Sequence, residues 1–252
     1  MIPDPIPAAT LILMREGAER DALPEILMVE RGAALAFLGG AMVFPGGRVD
    51  PGDHAMVPAD AADPDDSAAR IAAIRETIEE VGLAAGLMPN PDEITIADLR
   101  ADMARGQSFA AALSQRHLRI EEAALTPFAR WCPEHVPVRR FDARFYLAEI
   151  PRHASTPIID GGETAAARWM TAQAALSAAD RGDIHIIFPT RRTLERLAQY
   201  RDFPSAMADA RAWPVRRIVP FQAERNGVPS ICIPDDMGYP ITSEPVTAAR
   251  RG

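Results

Sequence analysis

The sequence predicts an α/β fold in one domain covering residues 1–252. Segments of strand length rich in aliphatic residues are interspersed with segments whose apolar residues recur at helical spacing. Glycine and proline punctuate the joins between them. A chain of 252 residues suits one large α/β domain, or a smaller one with elaborations, and can bury a substantial core.

Residues 8–14 and 25–30 read as two strands joined by a charged loop that holds Gly17 and Pro24. Residues 32–40 read as irregular, and 41–44 as a strand that ends in the turn Pro45-Gly46-Gly47. A loop over 54–64 then leads to a helix. Asp63 is its N-cap, Pro64 its first position, Asp65 and Asp66 its acidic first turn, and Gly82 or Gly86 its C-terminal stop. From about 91 to 130 the pattern is a helical insert, with Ile96, Leu99, Met103, Phe109, Ala112 and Leu113 at helical spacing. Packing or a dimer contact in a homodimer is its expected role, with a lid as the alternative. Residues 139–148 alternate as a strand, 167–170 as another, and 172–179 and 191–200 as helices, closing a core of about 8–200. The proline-rich stretch from about 203 to 252 reads as a C-terminal extension that wraps the core and frays after Pro245.

The chemistry concentrates in Arg75-Glu76-Thr77-Ile78-Glu79-Glu80-Val81-Gly82. At about 100° per residue, Glu76, Glu79 and Glu80 share an arc of about 100°, with Ile71, Ile74, Ile78 and Val81 on the opposite side. The positions four after these glutamates are Glu80, Leu83 and Ala84, so no following basic residue relieves the acidic run. Uncompensated carboxylates at this spacing suit a hard divalent cation; a solvated acidic face is the alternative. Upstream, Gly46 and Gly47 let backbone groups approach a ligand closely.

Composition narrows the function further. The formal net charge is −8 and the pI about 5.2, which disfavours an electrostatic grip on polymeric nucleic acid. All 27 basic residues are arginine, so a Walker A lysine and a Schiff-base lysine are excluded. Cys132 and Cys232 lack zinc-type spacing, and the five histidines are scattered without a metal-binding motif. No basic leader and no long apolar run precede or interrupt these elements, so a cytoplasmic protein with no membrane partner is expected.

Together these residues resemble the Nudix box, G-x5-E-x7-R-E-U-x-E-E-x-G-U with U apolar. Gly47 stands at its first glycine, and Arg75, Glu76, Glu79, Glu80, Gly82 and Leu83 match its second half. Three departures stand out: Asp53 replaces the first Glu, Thr77 replaces an apolar residue, and 21 residues rather than 7 separate Asp53 from Arg75. The wider pattern, with Leu38 to Asp50, Arg140-Phe-Asp-Ala-Arg-Phe and Phe188-Pro-Thr190, resembles the Nudix branch that includes peroxisomal coenzyme A diphosphatases.

The resemblance implies an α/β/α sandwich with a mixed central sheet, and a hydrolase that cleaves the diphosphate linkage of a small nucleoside diphosphate derivative. Coenzyme A or an acyl-coenzyme A is the leading substrate. It implies Mg²⁺ or Mn²⁺ held by Glu76, Glu79 and Glu80, with Gly46 and Gly47 at the substrate. Arg75 would orient the glutamates, and Glu163, in the loop before a strand, or a helix glutamate such as Glu79 would take the proton; a further metal ligand and a solvent-facing loop carboxylate are the alternatives for Glu163. Apart from the resemblance, Arg139, Arg140 and Arg144 on the strand over 139–148 sit where side chains could meet phosphate in a cleft, with surface solvation as the alternative for each. A Nudix-fold binding or sensor module without turnover is the alternative that the interrupted box suggests.

Overall fold

The computed structural model describes residues 4–19, 21–33, 38–133, 140–154, 156–159 and 161–249. Arg139 and Asp160 lie outside these residues. In chain order the elements are β1 (Ile6–Arg15), β2 (Glu25–Arg31), β3 (Met42–Val43), β4 (Gly46–Arg48), α1 (Pro51–His54), α2 (Pro64–Val81) and β5 (Leu87–Met88). Then come α3 (Glu93–Ala104), α4 (Phe109–Gln115), β6 (Arg119–Ile120), β7 (Thr126–Trp131), β8 (Phe141–Glu149), β9 (Thr164–Thr171), α5 (Ala172–Arg181) and α6 (Phe188–Leu197). The C-terminal part holds α7 (Phe203–Ala212), β10 (Arg217–Ile218), β11 (Phe221–Arg225), β12 (Val228–Cys232), β13 (Ser243–Pro245) and α8 (Val246–Ala249).

The central sheet is mixed, as expected. β1 runs parallel to β8 and antiparallel to β2, while β9 closes the other side of β2. Successive side chains on a strand point to opposite faces, and β1 is apolar on both. Leu11 and Leu13 pack with α2, α3 and α4 through Ile71, Ile74, Ile78, Leu99 and Leu113. Ile12 and Met14 pack with α5, α6 and α7 through Leu176, Leu194, Leu197 and Ala206. The result is two helical layers with the sheet between them.

Three expectations are corrected and one short helix is added. Gly46-Gly47 is not a turn but the start of β4, which pairs Thr10 with Gly46 and Ala9 with Gly47, while β3 pairs with β2. Residues 42–48 therefore leave the pairing of one strand and enter that of its neighbour. The loop after Asp53 is preceded by a helical turn, α1. The helical insert ends before residue 126, because β7 is a full member of the central sheet beside β8. The segment after Pro245 is not frayed throughout, since Val246–Ala249 is helical beside β13.

Candidate active site

Helix α2 forms where local signals place it. Asp63 accepts a hydrogen bond from the Asp66 backbone N–H at 3.0 Å, and Pro64 occupies the first turn. Gly82 ends it in the left-handed region, with φ of 63°, and its N–H bonds to the Ile78 carbonyl. Thr77, the departure from the apolar pattern, is fully buried and satisfies its hydroxyl by donating to the Ala73 carbonyl at 2.7 Å. Ile71, Ile74, Ile78 and Val81 are buried on the core side, as their spacing predicts.

The opposite face carries Glu76, Glu79 and Glu80 toward β4. Glu80 is only 7% exposed, and its Oε2 accepts the Gly46 N–H at 3.0 Å. The Glu76 carboxylate lies directly against Gly47, where an added Cβ would overlap it. Gly47 is therefore a position of close approach, which any side chain would block.

The expectation of an acidic run left without counter-charge is overturned, because the cation comes from upstream. Arg75 donates from Nη1 to Glu76 at 3.0 Å and to Glu79 at 2.9 Å. Its Nε and Nη2 reach both oxygens of Asp53 at 2.9 Å, and Nη2 also reaches the Arg48 carbonyl at 3.0 Å. Asp53 is buried and oriented in turn by the Asp50 backbone N–H, 2.8 Å from its Oδ2. Helix α1 thus closes the base of the interruption and brings Asp53 to Arg75.

Burial raises the Glu80 carboxyl to about 8, with Glu76 and Glu163 adding to the rise while the Gly46 N–H and Arg31 oppose it. Burial also raises Glu76 to about 7; Arg75 opposes this and Glu79 adds to it. Glu79 is raised by burial as well, against the pull of Arg75. For Arg75, burial disfavours its charge, but Asp53, Glu76 and Glu79 outweigh that and hold it more strongly protonated than usual.

Glu163 is exposed, one residue before β9, and its carbonyl accepts the Gly32 N–H at 2.7 Å. It is near enough to Glu80 to raise it. Arg140 is not brought to the cluster through its backbone: its carbonyl pairs with Ile6, about 10 Å along β1 from the Ala9–Gly47 pairing. The expectation that Arg144 meets phosphate is corrected, because it binds Asp66 at 2.9 Å and Asp63 at 3.5 Å beside the other end of α2. A cleft of about 520 Å³ lined by Met42, His185, Arg191 and Glu244 contains none of these glutamates.

Among the described residues no group of three or more His, Cys, Asp or Glu side chains is arranged to hold a metal ion. Glu76, Glu79 and Glu80 therefore do not converge as a ready-made cage, since Arg75 draws Glu79 and one oxygen of Glu76 to itself. The donor chemistry nonetheless fits a divalent cation. Glu80, buried, and Glu76, half-buried, stand together beside β4, and burial with their mutual repulsion raises the proton affinity of both, so a positive charge placed between them is favoured.

Two arginines that approach the cluster carry no signal in the sequence. Arg31, at the end of β2, lies close enough to Glu80 to lower it and keeps a buried Nε without a hydrogen-bond partner. Arg100, in α3, donates to the Glu79 carbonyl at 2.8 Å. Neither has a local motif; both depend on tertiary approach. Among the described residues, no helix is long and apolar enough to cross a membrane.

No family model matches the chain. It is 28% identical over 205 residues to a protein of Caenorhabditis elegans named putative nudix hydrolase 7, covering 78% of this chain and 61% of that one. The chain thus spans less than two thirds of that relative. A crystal structure of a NUDIX hydrolase from Alicyclobacillus acidocaldarius superposes with a TM-score of 0.71 at 32% identity, covering 82% of this chain and 97% of that one. An arginine and three glutamates on one helix, set against a diglycine strand, stand here within a fold that covers nearly the whole of that hydrolase at about a third sequence identity, and the chain belongs to the Nudix hydrolase family.

Proposed function

We propose that the protein hydrolyses the diphosphate linkage of a small nucleoside diphosphate derivative in a reaction that depends on Mg²⁺ or Mn²⁺, with coenzyme A or an acyl-coenzyme A as the leading substrate. The observation that carries this reading is the placement of Glu76 and Glu80 against Gly47 and Gly46, with Arg75 bracing the cluster. The choice of coenzyme A rests on the likeness of 38–50, 140–145 and 188–190 to the branch that includes the peroxisomal coenzyme A diphosphatases.

Glu76, Glu79 and Glu80 are the residues that would hold the cation. When bound, it supplies positive charge for the diphosphate oxygens and acidifies a water. The glycines of β4 leave room for the phosphates beside the carboxylates. Arg75 fixes the Glu76 and Glu79 carboxylates through a fork braced by Asp53. Glu163 or Glu79 accepts the proton from the attacking water as a phosphate ester leaves.

The test is phosphate-ester release from coenzyme A, acyl-coenzyme A, ADP-ribose, NADH and diadenosine polyphosphates with Mg²⁺ or Mn²⁺. Wild type should cleave at least one of them, and Glu79→Gln and Glu80→Gln should each lose about a hundredfold or more. Intact substrates, together with a raised melting temperature in the presence of one of them, would replace this reading with the binding module.

A further inference from the structure

The last turn of α2 carries Glu79 and Glu80 but no basic residue. Acidic side chains at the negative end of a helix dipole are unfavourable, and the last carbonyls of a helix lack intrahelical partners. Here the missing cation comes from another element. Arg100 of α3 donates from Nε to the Glu79 carbonyl at 2.8 Å and from Nη2 to the Glu80 carbonyl at 3.4 Å. The same guanidinium donates from Nη1 to the Ile158 carbonyl at 2.6 Å.

Ile158 lies in the segment leading to Glu163. Its N–H donates to the Val81 carbonyl at 2.8 Å, so both of its backbone groups are tied to the end of α2 or to Arg100. Its side chain is 59% exposed and therefore adds little by burial. At this point the segment is held by hydrogen bonds rather than by packing. Its far end is held separately, where Gly32 donates to the Glu163 carbonyl.

We propose that Arg100 is a positioning residue that locks the glutamate turn of α2 to the segment bearing Glu163, fixing the spacing between Glu80 and Glu163. The inference rests on the hydrolase reading for its catalytic consequence, but its structural core does not. A planar fork reaching three carbonyls cannot be replaced by a single ammonium. Arg100→Lys therefore keeps the charge at the helix end while losing the link, and Arg100→Met loses both.

The experiment is hydrogen–deuterium exchange of peptides covering 79–82 and 156–165 in wild type, Arg100→Lys and Arg100→Met, with Mn²⁺ binding and kcat and KM measured on the same preparations. Exchange in 156–165 should rise about tenfold or more in both variants, since local opening sets protection. Arg100→Lys should melt closer to wild type than Arg100→Met does. On a cleaved substrate, kcat should fall about tenfold in both while KM stays within about twofold, because misplacement of reacting groups acts on the chemical step. Exchange in 156–165 equal to wild type in folded Arg100→Lys would overturn the lock, whether or not the protein turns over. Wild type that cleaves nothing would overturn the hydrolase reading alone, leaving the exchange result to decide the role of Arg100.

Discussion

The Gly46 backbone N–H and the Glu80 carboxylate are joined at 3.0 Å across the gap between β4 and α2. That bond couples a strand with almost no side chains to the most deeply buried glutamate of the site. The spacing between the two elements is set by the absence of a Cβ at Gly47, where the Glu76 carboxylate rests.

Gly47→Ala should therefore push Glu76 out of place while leaving the rest of the fold intact. The overlapped atoms are the far end of the Glu76 side chain, which can swing aside, so the cost to stability should stay below about 1 kcal/mol. A thermal melt should show a loss of that size, and hydrolysis should fall much further than the melting temperature suggests.

Arg75→Lys should cost both stability and turnover. Arg75 makes two bonds to Asp53, one each to Glu76 and Glu79, and one to the Arg48 carbonyl. Lysine has three donors on one atom and cannot serve that set. The ammonium keeps the charge beside buried Asp53 but loses the fork to Glu76, Glu79 and the Arg48 carbonyl, at a cost of about 1–3 kcal/mol. Chemical denaturation and kcat/KM on the same preparation check both effects.

Asp66 gives a pH signature far from the glutamates. Burial pushes its carboxyl up, but Arg70, Tyr146 and Arg144 outweigh that and hold it below the usual carboxylate range. A lowered folded-state value means that the unfolded chain binds the proton more readily, so the stability is present above the unfolded value and is lost as pH falls through the folded one. Asp66→Asn should cost about 2 kcal/mol at pH 7. As pH falls below the ordinary aspartate range and then through the lowered folded-state value, the difference from wild type should shrink toward zero, as urea melts across the range would show.

Arg196 tests how the C-terminal extension is fastened. Its side chain is buried between Phe128 and Tyr239 and bonds to Asp209 at 2.6 and 2.9 Å and to the Phe128 carbonyl at 3.0 Å. Arg196→Met keeps much of the packing but strands the Asp209 charge, with an expected loss of about 3 kcal/mol. Limited proteolysis should then cut within 203–249 sooner than in wild type.

Helix α2 was legible in the sequence because its signals are local: Asp63, Pro64 and Gly82 mark its ends, and Ile71, Ile74 and Ile78 mark its buried side. The glutamate cluster followed from the same periodicity. β4 was not legible, since Gly-Gly-Arg carries no alternating pattern and is a strand only because Ala8, Ala9 and Thr10 pair with it. β7 was hidden for a similar reason, following a helical run whose pattern masked the return to the sheet. The partners of Arg75 lay partly out of reach too, because Asp53 is 22 positions away and meets it only through the fold.

That contact also determines what can happen to the segment it encloses. With Asp53 and Arg75 fastened together, Met56 and Val57 packed on the core and Asp63 starting α2, the residues between Val57 and Asp63 form a closed loop whose two ends are fixed independently of its contour. Doubling such a loop costs only about 0.6 kcal/mol in closure entropy. The interruption of the box is therefore a length that evolution or an engineer can change, or a port for a grafted peptide, while the spacing between Gly47 and the glutamates stays where it is.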